Sequence, residues 1–122
     1  MSYKELQIYE RGYEAAKAVY RMTEKYPEEE RYGVTNQMRR ASLSIPLNIA
    51  EGYAKKESQT EFKRFLMMAL GSANEMLVLI DFSKDMGYID KEKHAKAKAE
   101  YEEICRMLQV FVQRLKESTS KI

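Results

Sequence analysis

Apolar residues recur at intervals of three and four along four long stretches of this chain, with short polar segments between them. This spacing is typical of an α-helix that buries one face. The sequence contains 5 Gly and 2 Pro, which leaves little material for turns. We therefore predict an all-α fold, an antiparallel up-and-down four-helix bundle, in a single domain over residues 1–122.

The first helix is predicted to run from about Ser2 to Tyr26, because a residue that precedes a proline avoids helical geometry and residue 27 is proline. Ser2 and Glu5 have the spacing of a capping box, in which each side chain bonds to a free backbone amide. Two neighbouring stripes make the apolar face of this helix wide. The first stripe is Leu6, Tyr9, Tyr13, Ala16 and Tyr20, and the second is Ile8, Gly12, Ala15, Val19 and Met22.

The second helix is predicted over about Val34–Ala54, and Pro46 lies well inside it. A proline there removes one backbone hydrogen bond and clashes with the carbonyl of Ser42. We therefore expect a kink in helix two at Pro46.

The boundaries of the last two helices carry clear local signals. Ser58 and Glu61 form a capping box that opens helix three, and Gly87 is its predicted end. Asp90 is the predicted N-cap of helix four, which is expected to run to about Glu117.

Helix three is apolar around most of its circumference. One set of residues marks its core stripe: Phe62, Phe65, Leu66, Ala69, Ala73, Met76 and Ile80. A second set covers much of the remaining surface: Met67, Met68, Leu70, Leu77, Val78 and Leu79. A helix of this kind is buried on more than one side, so the sequence predicts a surface shared by identical subunits.

The residue types needed for common catalytic sites are scarce. His94 and Cys105, each the single residue of its type, are 11 positions apart on one predicted helix, about 16 Å along its axis, and cannot touch within a subunit. Residue 91 is lysine, so the Glu-x-x-His spacing of a di-iron bundle does not occur, and no Gly-rich phosphate loop is present. We therefore expect no enzymatic activity, no metal and no cofactor.

The chain shows no feature that directs it to a membrane. Charges interrupt the apolar residues of its first segment, unlike a signal peptide, and the longest apolar run, Phe65–Leu70, is far shorter than the roughly 20 residues that cross a bilayer. We expect a cytoplasmic protein without membrane contact. The net charge of +2 does not by itself demand a nucleic-acid partner.

A polar stripe follows one face of helix two. Its members are spaced by four, four and three residues, with a glutamine above them, and helix three adds two more: Gln37, Arg40, Ser44, Asn48, Glu51, Ser72 and Glu75. Such a row needs hydrogen-bond partners, and the candidates are Arg39 or Arg40 with Glu51 or Glu75, within or between subunits. The stripe either fixes helix register or subunit pairing, contacts a ligand or RNA through its arginines, or faces solvent without a special role.

The stripe belongs to a longer motif. From Gln37 to Gly52 the chain reads Gln-x-Arg-Arg-Ala-x-x-Ser-Ile-Pro-x-Asn-Ile-Ala-Glu-Gly. Further matching segments are Leu6-x-x-Tyr9, Tyr26-Pro27, Glu30-Arg31-Tyr32-Gly33, Glu61-Phe62, Phe65-Leu66-x-x-Ala69-x-Gly71-Ser72-x-x-Glu75 and Gly87-Tyr88-Ile89. This pattern resembles the bacterial four-helix-bundle proteins encoded by intervening sequences inserted in 23S rRNA genes. It covers roughly the first three helices.

The resemblance implies a ring-like homopentamer. The family is also similar to the accessory protein of diversity-generating retroelements, which binds a reverse transcriptase and nucleic acid. Two hypotheses follow: an oligomeric RNA-associated protein, or a scaffold that receives a protein partner. For RNA, the candidate phosphate contacts near the turn between helices two and three are Arg39, Lys55, Lys56, Lys63 and Arg64, which are otherwise ordinary solvated surface.

Overall fold

The structure is a computed structural model that describes the backbone of residues 2–120 and the side chains of residues 2–4 and 6–115. Four α-helices make up nearly all of it: α1 Gln7–Thr23, α2 Val34–Ala54, α3 Gln59–Asp85 and α4 Lys91–Ser120. Two short 3-10 helices lie at Tyr3–Glu5 and Glu28–Glu30, and residues 2–120 contain no strand. The short connections make successive helices antiparallel, and the predicted all-α four-helix fold is confirmed.

The predicted ends of α3 are confirmed. The Ser58 side chain accepts a hydrogen bond from the backbone N–H of Glu61 at 3.2 Å. At the other end Gly87 has a φ of 79°, and the N–H of Tyr88 donates to the carbonyl of Ser83 at 2.9 Å. This left-handed glycine with its backward hydrogen bond is the usual stop of a helix.

α4 also begins as predicted. The carboxylate of Asp90 accepts a hydrogen bond from the N–H of Lys93 at 2.8 Å, which satisfies one free donor of the first turn. The helix continues to Ser120, beyond the predicted end near Glu117. The sequence also predicts a frayed tail over residues 118–122, of which residues 121 and 122 lie outside the described residues.

The predicted bounds of the first helix are wrong at both ends. Leu6 is extended, with a ψ of 125°, and separates a 3-10 turn from α1, which begins at Gln7 and ends at Thr23. The Ser2 side chain makes no capping hydrogen bond, so the predicted capping box does not form. Extended geometry at Leu6 prevents one continuous helix from starting at residue 2.

The buried face of α1 lies mainly on the second of the two predicted stripes. Ile8, Ala15 and Val19 are buried, and so is Ala16 of the first stripe, whereas Tyr13 and Tyr20 of the first stripe are 44% and 38% exposed. Gly12 lies in the buried stripe, where a Cβ would be 3.0 Å from Cγ2 of Ile45. The absence of a side chain at this position lets α1 pack closely on α2, and this contact sets the rotation of α1.

The core lies between the inner faces of all four helices. Its fully buried side chains are Met38, Ile45, Ile49, Leu66, Met76, Ile80, Ile104 and Leu108, with Tyr101 beside them. α2 continues through Pro46, whose ring is buried, and a bend there stays a prediction.

α3 is the most apolar helix. Among residues 2–120 it is the single helix whose length and composition would let it cross a membrane, a test that core helices of soluble proteins also pass. The apolar character of α3 therefore extends well beyond the uninterrupted run Phe65–Leu70. α3 packs against α2 on one side and α4 on the other, so the core accounts for its inner face. The apolar residues on its outer face need another explanation.

Candidate functional site

The outer face of α3 exposes four large apolar side chains, which we call the α3 ridge. Met67 is 47% exposed, Met68 46%, Val78 68% and Phe82 42%. They lie on the side of the helix opposite its fully buried residues. Gly71 lies between them, and a Cβ there would meet nothing within 4 Å. The ridge therefore has an apolar part at each end, Met67 with Met68 and Val78 with Phe82, and the exposed Glu75 lies between them. Exposed large apolar side chains that share one helix face are typical of an interaction surface.

The outer side of α2 also has exposed apolar and charged side chains. Leu47 is 59% exposed on the outer side of α2. The side chains of Arg40 and Glu75 are also exposed, and neither side chain makes a hydrogen bond or an ion pair within the described part of the chain. The predicted pairing of these two residues therefore does not occur within one subunit.

The polar stripe separates into two groups. Ser44 and Ser72 join α2 to α3 through their hydroxyls at 2.8 Å, and Asn48 Nδ2 donates to the carbonyl and the hydroxyl of Ser44, each at 2.9 Å. These three residues form one partly buried network, which supports a role in helix register. The other four members, Gln37, Arg40, Glu51 and Glu75, are exposed and lie outside it.

Arg39 points away from the stripe. Its Nε donates to Thr23 Oγ1 at 2.9 Å, its Nη2 donates to the carbonyl of Tyr20 at 3.2 Å, and its guanidinium lies 4.8 Å from the Tyr20 ring centroid. Glu51 instead accepts from Lys55 at 3.4 Å. The predicted pairing of Arg39 with a glutamate of the stripe is wrong within the subunit, because Arg39 lies on the side of α2 that faces α1.

Four of the five predicted phosphate contacts lie together at the turn between α2 and α3, and we call them the basic turn: Lys55, Lys56, Lys63 and Arg64. The fifth, Arg39, does not belong to this cluster. It is 16 residues before Lys55, about 24 Å along the helix axis, and its guanidinium is already bonded to α1.

Aromatic rings support the basic turn. Lys55 Nζ and the Arg64 guanidinium lie 4.9 Å and 4.5 Å from the ring centroid of Phe65, and Lys56 Nζ lies 4.1 Å from that of Tyr53. Such contacts hold long basic side chains against the surface while their charges stay in water. Cations interleaved with aromatic rings are a recurring feature of surfaces that bind single-stranded nucleic acid.

Acidic neighbours offset most of the charge at the basic turn. Arg64 donates to both carboxylate oxygens of Glu61, at 2.9 and 3.2 Å, and this pairing holds the pKa of Glu61 below its ordinary value. With Glu51 and Glu57 also near, four basic side chains face three acidic ones, a surplus of one charge for each subunit. A single copy therefore attracts phosphate weakly.

Several motif segments that are distant in sequence meet at the opposite end of the bundle. The hydroxyl of Tyr88 donates to Glu30 at 2.6 Å, and this bond raises the pKa of Tyr88 to about 12. The other carboxylate oxygen of Glu30 accepts a hydrogen bond from the N–H of Val34 at 3.3 Å. The ring centroids of Tyr26 and Tyr88 are 5.2 Å apart. Sequence analysis did not predict this cluster, since only the fold brings its members together.

His94 and Cys105 have separate surroundings. His94 Nε2 lies 2.8 Å from Asp81 Oδ1, and Lys98 Nζ lies 2.7 Å from both oxygens of the same carboxylate. Cys105 is buried near Asn74, and burial raises the pKa of its thiol. Over the described residues, no group of three or more His, Cys, Asp or Glu is placed to hold a metal ion.

An open groove follows the seam between α1 and α4, and we call it the seam groove. These two helices make far fewer close contacts than the other neighbouring pairs. Its most apolar cavity has a volume of about 560 Å³. Its apolar lining is Ala15, Ala18, Val19, Met22, Ala97 and Tyr101. Arg11 crosses the groove to Glu100 with two hydrogen bonds, of 3.0 and 2.9 Å.

Known proteins share this fold and sequence pattern. A crystal structure of a protein with unknown function from the S23 ribosomal protein family of Bacteroides thetaiotaomicron VPI-5482 superposes with a TM-score of 0.78, covering 87% of this chain and 95% of that one. The two chains are 22% identical, so the likeness shows the fold alone. A comparison with curated proteins gave no match.

The sequence profile of one family covers most of the chain. The family is described as 23S rRNA-intervening sequence protein, and its profile matches residues 4–110. The match includes the motif segments of α2 and α3. It also extends well into α4, beyond the first three helices that carry the motif segments. This result confirms the resemblance, and the chain belongs to the 23S rRNA-intervening sequence protein family.

Proposed function

We propose that this protein is a non-enzymatic, cytoplasmic binding protein that acts as a homopentamer and associates with RNA. The observation that carries this proposal is the α3 ridge. Four large apolar side chains stay between 42% and 68% exposed on the helix that contributes most to the core. Covering them with other subunits removes apolar surface from water, which stabilises an assembly by about 25 cal/mol for each Å² buried.

The basic turn is the proposed RNA contact. Lys55 and Lys56 lie on the turn between α2 and α3, and Lys63 and Arg64 lie near the start of α3, with Tyr53 and Phe65 beside them. One subunit has a surplus of a single charge there, so five subunits bound to one RNA would gain mainly by avidity. The family description refers to 23S rRNA, which makes a structured RNA the first ligand to test.

The surroundings of the reactive side chains favour a non-enzymatic role. His94 bonds to Asp81 on α3, whereas the thiol of Cys105 lies near Asn74 and is buried with a raised pKa. A buried thiol with a raised pKa carries little thiolate, which is the nucleophilic form.

Binding of a structured RNA at two salt concentrations tests the proposal. We expect affinity to fall steeply between about 50 mM and 200 mM salt, because phosphate contacts release counterions. A double variant, Lys55→Ala with Lys56→Ala, should weaken binding and flatten the salt dependence. The matched control is Lys84→Ala with Lys91→Ala, which removes two exposed lysines at the other end of the bundle. No measurable binding at low salt, or equal loss in both double variants, would contradict the RNA contact.

The second candidate is a protein-interaction scaffold, or a retroelement accessory protein that binds a reverse transcriptase. The seam groove favours it, because an apolar groove left open after assembly could receive a helix of a protein partner. A purified reverse transcriptase should then bind the assembled protein and be displaced by a bulky side chain in the groove. Recovery of RNA without any protein partner would count against this function.

A further inference from the structure

The α3 ridge and the seam groove lie on different sides of one subunit. The helices pack in the order α1, α2, α3, α4, and α1 meets α4 along the groove. The ridge faces outward from α3, opposite the core-facing side of that helix. A subunit therefore cannot place its own ridge in its own groove, and each copy has one apolar projection and one apolar recess.

The two surfaces match in length. The ridge extends from Met67 to Phe82, which is 15 positions or about 22 Å of helix. Cavities line the α1–α4 seam from Gln7 to Met22 of α1, which is 15 positions or about 22 Å. One helix face of this length spans the groove once the Arg11–Glu100 pair that crosses it turns aside.

The lining of the groove also suits a helix. Ala15, Ala18 and Ala97 present small side chains, which let a neighbouring helix approach closely. The large side chains of the ridge, such as Val78 and Phe82, supply the volume that these alanines lack. Packing of large against small side chains is how helices interdigitate.

Charge favours the same pairing at one end of the groove. The cavity around Ala18 and Met22 has four basic side chains on its rim, Arg21, Lys25, Lys93 and Lys96. Its two acidic side chains are Glu24 and Glu100, and the latter is already paired with Arg11. The rest of the seam adds the acidic Glu10 and Glu14. The ridge side contributes Glu75, which makes no ion pair with the side chains of residues 2–4 and 6–115. A negative charge on the ridge thus meets the positive rim at the Arg21 end of the groove.

We infer that the α3 ridge of one copy occupies the seam groove of the next copy. This inference rests on the proposed self-association and adds its geometry. Different surfaces of the two copies meet, so the contact is heterologous, and repetition of the same rotation closes a ring. In an isologous contact, by contrast, one ridge would pack on another ridge and leave the grooves empty.

Complementation between two damaged subunits tests this geometry. Val78→Lys places a charge on the ridge at a position that is 68% exposed, and Ala18→Glu places one on an exposed residue of the groove. Both new residues are good helix formers, so each subunit keeps its fold, which circular dichroism checks. The matched control is Tyr32→Lys, because Tyr32 is 86% exposed and lies outside both surfaces.

Sedimentation of each variant gives the expected result. Val78→Lys and Ala18→Glu alone should sediment as single subunits of 14.3 kDa, and Tyr32→Lys should keep the wild-type mass. A mixture of the two damaged variants retains one intact ridge and one intact groove, so it should form a heterodimer of about twice that mass or a larger mixed assembly, because the introduced lysine and glutamate carry opposite charges.

Different failures point to different errors. A monomeric wild-type protein would contradict the proposed function itself. A wild-type oligomer that survives Ala18→Glu would overturn the ridge-and-groove contact alone and leave the groove for a different partner. Loss of assembly in both variants without a heterodimer or a larger mixed assembly in the mixture would also overturn it.

Discussion

Two glycines on facing helices predict opposite effects of the same substitution. At Gly52 of α2, an added Cβ would lie 3.0 Å from Cβ of Phe65, 3.1 Å from Cδ1 of Phe62 and 3.3 Å from the Phe62 carbonyl oxygen. At Gly71 of α3, an added Cβ would meet nothing within 4 Å. Both glycines lie inside helices, so replacing each by alanine changes helix propensity equally. A difference between the two variants therefore reports the packing around the added Cβ.

The expected magnitudes follow from these distances. Overpacking a close helix contact lowers stability by about 1–3 kcal/mol, and the contact at Gly52 includes backbone and Cβ atoms that cannot rotate away. Replacing glycine by alanine inside a helix returns about 0.5–1 kcal/mol. We therefore expect Gly52→Ala to lower the free energy of unfolding by about 1 kcal/mol and Gly71→Ala to raise it by up to about 1 kcal/mol.

Urea unfolding followed by circular dichroism measures the difference. A gap of about 2 kcal/mol corresponds to roughly 1 M urea between the two midpoints, for a slope of 1–3 kcal/mol/M. All variants must be compared at one protein concentration, and their sedimentation recorded, because Gly71 lies in the α3 ridge and assembly also stabilises the fold. A Gly52→Ala midpoint at or above that of the wild type would refute the close approach of α2 and α3.

Three further changes test the helix ends and the ion pairs. Ser58→Ala removes the N-cap of α3 and should lower the free energy of unfolding by about 1 kcal/mol relative to the wild type in the same assay. The hydrogen bonds from Lys98 and from the imidazole of His94 hold the pKa of Asp81 below its ordinary 3.8. The charged carboxylate therefore stabilises the fold above pH 3.8, and this contribution is lost as the pH falls through the lowered pKa. Asp81→Asn should lose less melting temperature on acidification than the wild type, and an identical acid profile would contradict the pairing. The Glu30 carboxylate raises the pKa of Tyr88 from 10.0 to about 12, so the neutral phenol stabilises the fold at lower pH and this contribution disappears as pH rises from 10 to 12. Tyr88→Phe should lower the melting temperature at neutral pH, and the difference in melting temperature between this variant and the wild type should become smaller at high pH.

The sequence predicts both ends of α3 and the start of α4 well because local chemistry determines them. Ser58, Gly87 and Asp90 each bond to backbone groups within a few residues of themselves, as their spacing indicates. The apolar surplus of α3 is also visible in the sequence, and the structure places Met67 and Val78 on its exposed face.

Features that depend on the rotation of one helix against another are harder to predict. α1 has two apolar stripes, and the close approach of Gly12 to Ile45 turns mainly the second one toward the core. The same problem affects Arg39, whose partners are on α1 and not on α3 because of where α2 meets each neighbour. The bond between Glu30 and Tyr88 joins residues 58 positions apart, and no local pattern indicates it.

The symmetry of the assembly determines what the basic turn can do. In a ring built from ridge-and-groove contacts, one rotation axis relates all copies, so every basic turn lies at the same height around that axis. The surplus of one charge at each turn then adds up on a single face, where one RNA can contact several copies. An isologous dimer whose two-fold axis crosses the helices would place its two basic turns at opposite ends. The Ala18→Glu variant keeps every residue of the basic turn, yet it should bind RNA with a flatter salt dependence than the wild type. An unchanged salt dependence in a monomeric Ala18→Glu variant would show that each subunit binds RNA independently of the ring.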